Sequence, residues 1–585
     1  MKKILALVLA ALMLVAMAVP AFAAAGDATS DATISVTGLT VGDVVTPYQI
    51  IHWVDGSGWA FTSAFESLGA DALTEILGTP AKAAVGTEGD PGYQPAQAAV
   101  PGKITQTMAN RIAALATGGT ADAALTETTW SKANPAAGLY MIAIAAKESG
   151  VVYNPAFVGA DFNGTNTTNT IDISATYSES AVAKKTTITT LKTVDANEDS
   201  DEIKAAKASL VGDIVSFKIT TTIPVFLDSY KNPSFKLEDE VSAGMELVVD
   251  ATHPISVKYG DTTATNNGTS TGDDNVTITK NSDIKYTAEF ATAYLDANAT
   301  AVAVEVTYYA KITNAATFNV NRDDNTVTVT YSNGPNEEKG VEKDVTNHYT
   351  FSIGASIVGK QGKKGYEAVK VGVDKEGNEL TELTEVTLDN GDDTDTARSL
   401  AGALFGLYTS QDAATAGKTT GEDSGLVVNE NYPDGATFTT LNDGIITFTG
   451  LDAGTYYLKE LDAPDGYIKD TDVHEVVIAA TYEEKKITET VGGMEVKYQT
   501  SVLKDYTVTI DGHATKYEFN NEGATLTDPV IKDITTDEDR IKNTKGVELP
   551  STGGMGTTIL YVAGSILVLA AGILLVTKRR MNAED

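Results

Sequence analysis

Three stretches carry residue types spaced for chemistry. Gly268 to Gly272, GTSTG, fits the Gly-x-Ser-x-Gly turn that presents a serine nucleophile in hydrolases. It lies in a Thr/Asn/Asp-rich stretch with no strand-to-helix signal, so a loop is expected there. Asp195 to Glu202, DANEDSDE, begins like a calcium loop, but Ser200 stands where the glycine belongs and Ala206 where the bidentate Glu belongs. The third stretch is Leu549-Pro550-Ser551-Thr552-Gly553, followed by an apolar run from Ile559 to Val576 and then by Lys578, Arg579 and Arg580. The five histidines, at 52, 253, 348, 474 and 513, are scattered, and there is no cysteine. No metal site and no cofactor are therefore expected, and no disulfide can hold the fold.

The elements around these stretches set their context. Met1-Lys2-Lys3, the apolar run Ile4 to Val19 and the small-x-small Ala21-Phe22-Ala23 predict a secretory leader over 1–23. The C-terminal apolar run is long enough to reach most of a bilayer core, and the basic residues after it should stay cytoplasmic. A net charge of −36 argues against nucleic acid as a partner, since phosphate contacts need Lys and Arg.

Taken together, the ends resemble those of Gram-positive cell-wall-anchored proteins. That resemblance implies that a membrane transpeptidase, sortase, cuts between Thr552 and Gly553 and passes the Thr552 carboxyl to an amine. The chain would then be secreted and covalently attached to the wall, with the helix as a transient hold.

Between the ends, "ATISVTGLTVGDVV", "VGDIVSFKITTTIP", "NTVTVTYSN" and "GIITFTGLDAGTYYLKE" alternate apolar and polar residues between turn signals. The expectation is an all-β chain of tandem immunoglobulin-like β-sandwich domains. In the first third, "SAFESLGADALTEIL" and "KITQTMANRIAALAT" have helical spacing and predict a helical insertion, with a loop over the Pro/Gly/Ala-rich residues between them. The expected division is an N-terminal domain over 24–183, a middle domain over 184–346, a third over 347–545 and the sorting signal over 546–585.

The third segment, with "LAGALFGLY" and "YYLKELDAPDGY", resembles the CnaB-type domain of pilins and adhesins. The second, with "LKTV", "LEDEVSAGM" and "VTYSNGPN" in that order, is similar to the CnaA-like middle domain of major pilins. The whole resembles a sortase-assembled major fimbrial subunit. Domains of these kinds tie a Lys of the first strand to an Asn of the last through an intramolecular isopeptide bond, assisted by an acid. An apolar core lowers a Lys pKa and raises that of a carboxyl, which leaves a neutral nucleophile beside a proton donor. The resemblance implies Lys192, Asn333 and the assisting Asp239 in the middle domain. In the third domain it implies Glu460 as the acid and Asn543 as the acceptor. Lys370 is the favoured nucleophile, Lys360 stays open, and Asn521 is a second acceptor. No such bond is assigned to the first domain.

The resemblance further implies an acceptor lysine for polymerisation at the first boundary. The Tyr-Pro-Lys motif of relatives is absent there; Lys184 falls at the matching place and Lys185 is the alternative. The function implied is a pilus shaft subunit that supports adhesion, with no enzyme activity beyond forming its own bonds. Its partners would be pilin-class and housekeeping sortases, other copies of itself, minor pilins, peptidoglycan and a host or microbial surface ligand. The competing reading is a wall-anchored adhesin that binds such a ligand and never polymerises.

Overall fold

A computed structural model describes residues 30–54, 58–162, 178–194, 205–226, 230, 232–316, 323–333, 339–354, 357–358, 364–390, 393–421, 423–526, 530–546 and 555–581. The expected leader, the calcium-like stretch at 195–202, Lys360 and the sorting pentapeptide at 549–553 lie outside these residues. Strands dominate throughout.

The first part is built on the strand Gly138–Ala145, which is buried on both sides. Leu139 and Met141 face the helices Ala70–Leu77 and Gln106–Leu115, while Tyr140, Ile142 and Ile144 face the sheet that holds Thr33–Thr37. Burial of both faces explains why GLYMIAIA reads as an unbroken apolar run. Both helices fall inside the stretches with helical spacing, and the Thr105 hydroxyl caps the second by accepting from the Met108 amide at 3.2 Å. The segment between the helices is not the expected plain loop. Gly78–Thr79 pairs with Val100–Pro101, and the bridges Lys82↔Gln97 and Val85↔Gln94 extend an exposed ribbon. Its Pro/Gly/Ala composition hides the pairing because neither side of the ribbon is buried.

The second part is a sandwich of two six-stranded sheets. Ile214–Ile223 and Val302–Ile312 bury every second residue, including Phe217, Ile219, Val306 and Tyr308. The facing sheet contains Phe235–Val241, Asp323–Ser332 and Lys339–Tyr349. Lys339–Tyr349 pairs with Asp323–Ser332 as far as His348↔Asp323, so this strand crosses the expected boundary at 346/347.

The third part joins a seven-stranded sheet to a three-stranded one made of Ala368–Val373, Asp539–Lys545 and Tyr467–Ile468. After Lys370 the strand Glu385–Asn390 pairs antiparallel with Asp393–Arg398. Two strands of the large sheet, Val473–Val491 and Met494–Ile510, are far longer than the rest. The helix Met555–Met581 follows, and its span Tyr561–Arg579 is long and apolar enough to cross a membrane.

Candidate functional site: two buried lysine clusters and a paired boundary

In the middle sandwich, strand alternation turns Lys192 inward from Leu191–Val194, Asp239 inward from Phe235–Val241, and Asn325 inward from Asp323–Ser332. All three are at most 1 % exposed. The Lys192 ammonium donates to Asp239 Oδ2 and to Asn325 Oδ1, and Asn325 Nδ2 donates to the Tyr308 hydroxyl at 2.6 Å. The rings of Tyr308 and Phe217 lie 5.4 and 5.9 Å from Lys192 Nζ. Burial pulls the Lys192 pKa down to about 8 against the opposing attraction of Asp239. Burial also pushes Asp239 up, against Lys192. Both directions favour a neutral amine beside a protonated acid. Glu238 and Glu240 point to the solvent face, where they pair with Lys285.

The asparagine beside Lys192 and Asp239 is Asn325, and the expected Asn333 stands apart from them. Asp239 lies opposite Val327 and Val241 opposite Asn325, so the antiparallel register brings Asn325 to the acid. Asn333 stands eight positions further along, about 26 Å away at strand rise. Both asparagines fall on the inward parity, and strand register rather than residue type distinguishes them. Asn333 is buried, and its side-chain oxygen has no hydrogen-bond partner.

The third part gathers Lys370, Glu460 and Asn543, each wholly buried. Ala368–Val373 and Asp539–Lys545 run parallel, with Lys370 opposite Ile541 and Gly372 opposite Asn543. Lys370 Nζ is 3.4 Å from Glu460 Oε1, and Asn543 Nδ2 donates to Glu460 Oε2 at 3.1 Å. The backbone amide of Asp470 donates to the same carboxylate oxygen at 2.5 Å. The Asn543 carbonyl accepts no hydrogen bond, which leaves it open to a proton donor. Burial lowers the Lys370 pKa against Glu460 and Asp470, and the Phe405 ring lies 5.2 Å from its Nζ. Asn521 is engaged elsewhere, donating to Glu483 Oε1 and the Leu503 carbonyl at 2.9 Å each.

One histidine, His474, lies in a cluster of aspartates. His474 Nδ1 lies 2.7 Å from Asp511 Oδ2 and its Nε2 3.2 Å from Asp470 Oδ2, with Asp539 close by. Burial alone would lower the imidazole, but the two aspartates outweigh it and hold the pKa above its ordinary value. Each imidazole nitrogen is thus within hydrogen-bond distance of a carboxylate. The Gly-x-Ser-x-Gly stretch is a loop, as expected. Ser270 Oγ donates to the Thr265 carbonyl at 2.7 Å, a local turn bond.

At the first boundary Lys184 and Lys185 are exposed. The backbone around them is not the free linker that small residues suggest. Ser180–Val182 pairs with Thr33–Thr37, Lys185–Thr187 pairs with Val151–Tyr153, and the Lys184 carbonyl accepts from the Asn154 amide at 2.9 Å.

Residues 384–491 match the SpaA prealbumin-like fold domain, and residues 541–583 match the LPXTG cell wall anchor motif. No curated protein matches the chain. Among solved structures, the T6 backbone pilin of serotype M6 Streptococcus pyogenes superposes with a TM-score of 0.51 at 17% identity, covering 89% of this chain and 99% of that one. The chain has the fold of a Gram-positive backbone pilin. Two further structures with this pilin fold are similar at lower scores. The major pilin SpaD of Corynebacterium diphtheriae has a TM-score of 0.42 at 16% identity, covering 76% of this chain and 90% of its own. The major pilin SpaA of the same organism has a TM-score of 0.39 at 15% identity, covering 88% and 100%. Its anchor motif followed by an apolar helix marks a secreted chain that is held briefly in the membrane and then attached to the cell wall.

Proposed function

We propose that the chain is the shaft subunit of a covalent pilus, divided into a leader, three sandwich-based domains and a sorting signal. A pilin-class sortase would cleave after Thr552 and join its carboxyl to the side-chain amine of Lys184, or of Lys185, on the next copy. A housekeeping sortase would attach the finished polymer to peptidoglycan. Minor pilins and a surface ligand complete the expected partners.

Each shaft subunit would carry two internal bonds, Lys192 to Asn325 and Lys370 to Asn543. The observation that carries this reading is the pair of fully buried lysine–acid–asparagine clusters on separate sandwiches. In the middle domain, neutral Lys192 Nζ attacks the Asn325 side-chain carbonyl carbon. Asp239 gives its proton toward the developing oxyanion and takes one from the attacking nitrogen. Asp239 then gives its proton to the original amide nitrogen, the C–N bond breaks, that nitrogen leaves as ammonia, and the hydroxyl proton returns to Asp239 as the carbonyl re-forms. Glu460 would serve Lys370 and Asn543 in the same way. A covalent tie of this kind replaces the disulfides that the sequence lacks.

The missing Tyr-Pro-Lys favours the second reading, a monomeric adhesin on the wall. Boiling wall extracts in SDS separates the two. A regular high-mass ladder is expected of a shaft subunit, whereas a single wall-linked band in a strain with all its sortases would make the chain an adhesin.

A further inference from the structure

The long hairpin of the third part leaves its own sheet. Val473–Val491 and Met494–Ile510 pair along almost their whole length and turn through Gly492-Gly493. Both glycines have positive φ, +59° and +87°, as a two-residue type I′ turn requires. A strand of 19 residues reaches about 60 Å. The half nearest the strand ends, with Val476, Ile478, Val508 and Ile510, belongs to the third core. The other half has no core of its own, and an isolated hairpin is marginal in water.

That half is instead docked on the middle sandwich. Asn347 Nδ2 donates to Thr500 Oγ1 at 3.0 Å and to the Ser501 carbonyl at 2.7 Å, and Thr500 Oγ1 donates to the Val345 carbonyl at 2.6 Å. Lys343 Nζ lies 2.8 Å from Glu489 Oε1. The end of the hairpin then reaches the first part. The Ser149 amide donates to the Glu495 carbonyl at 3.1 Å, Glu148 and Glu495 form a parallel bridge, and Lys497 Nζ lies 3.2 Å from Glu148 Oε1.

The turn it meets leads directly to the boundary lysines. The Gly150 amide donates to the Tyr331 hydroxyl at 2.7 Å, and the Gly150 carbonyl accepts from the Ile188 amide at 2.6 Å. Gly150 has φ +72°, and a Cβ there would stand 2.5 Å from the Ile188 carbonyl oxygen. The next residues, Val151–Tyr153, hold Lys185–Thr187 in antiparallel register, with Lys185 opposite Tyr153. The hairpin tip, the turn at 148–150, the strand at 151–153 and the lysine strand thus form one continuous series of backbone hydrogen bonds.

We propose that the tip of the third-domain hairpin is a positioning element for the acceptor lysine. It fixes the turn at Glu148–Gly150, and through it the strand that carries Lys185 and follows Lys184, so the acceptor segment is in place only when the third domain has folded. The proposal rests on the reading of this lysine pair as the polymer joint. It would make a subunit with an unfinished third domain a poor acceptor, and so keep such subunits out of the shaft.

The test replaces Thr488–Lys497 with Asn-Gly in the full chain, which keeps the Ile487↔Tyr498 pair and removes the tip. Amide exchange over 185–187, followed by mass spectrometry, should quicken about tenfold, the factor expected for loss of roughly one hydrogen bond of support. The ladder should shift toward monomer. A second variant, Glu148→Cys with Glu495→Cys, forms a disulfide across the bridge in a chain with no other cysteine. Oxidation should slow the same exchange and reduction should restore it. Unchanged exchange in both variants overturns the proposal, and so does slowed exchange in the shortened one. Lys184→Ala with Lys185→Ala keeps the two readings apart: a ladder that survives this change places the joint elsewhere, while the exchange data still decide whether the tip supports the strand.

Discussion

Replacing Asn325 with Ala should remove one covalent tie and leave its neighbours in place. Lys192 and Asp239 should keep their own direct contact. The tie would close a loop between residues 133 positions apart. With the chain-entropy relation used for disulfides, a loop of that length stabilises the fold by about 5 kcal/mol. For a domain of this size each kcal/mol moves the melting midpoint by about 2–4 °C, so the middle transition should fall by about 10–20 °C. Intact-mass measurement gives the direct reading. The folded wild-type ectodomain should lack two ammonia equivalents relative to its sequence, and Asn325→Ala should lack one. Calorimetry on the same samples reads the midpoint. The reasoning fails if Asn325→Ala still lacks two, or if Asn333→Ala is the change that restores one.

Glu460→Ala should restore one ammonia equivalent in the third domain and make it sensitive to trypsin, as seen by intact mass and a digestion time course. Buried Glu342 has its pKa raised by burial from 4.5 to about 7, so the folded state binds its proton more tightly than the unfolded chain does. Its contribution is fully present below pH 4.5 and is lost as pH rises to about 7; denaturant titrations should show the wild type losing stability against Glu342→Gln across that window, and parallel curves would refute this. Lys192→Ala should lower thermal and protease resistance without ending polymerisation, because Lys192 is wholly buried while Lys184 is exposed; loss of the ladder would assign Lys192 a role in the joint.

Much of this architecture is legible in the residues, for physical reasons. Strands with one buried face, such as Ile214–Ile223 and Val302–Ile312, show alternation because one side meets water. Lys370, Glu460 and Asn543 each sit in a distinctive local stretch, and the structure brings the three side chains together. Asn325 lies in the strand Asp323–Ser332 and Asn333 just past its end at the same parity, so only the partner strand's register separates them. The outer half of the long hairpin was missed because its buried face mixes apolar Ile487, Val496 and Val502 with polar Lys485 and Thr500, which breaks the alternation. Gly492-Gly493 between Val491 and Met494 was the available signal. The pairing of the backbone around Lys184 to Thr33–Thr37 and Val151–Tyr153 depends on distant strands that no local window contains.

The most direct test of a covalent shaft is the joint itself. High-mass polymer from the wall should be digested with trypsin and its branched peptides sequenced by tandem mass spectrometry. The expected product carries the Thr552 carboxyl in amide linkage to the side chain of Lys184 or Lys185. A Thr552 carboxyl found only on peptidoglycan cross-bridges, with no lysine-linked species, would contradict polymerisation and leave a monomeric adhesin.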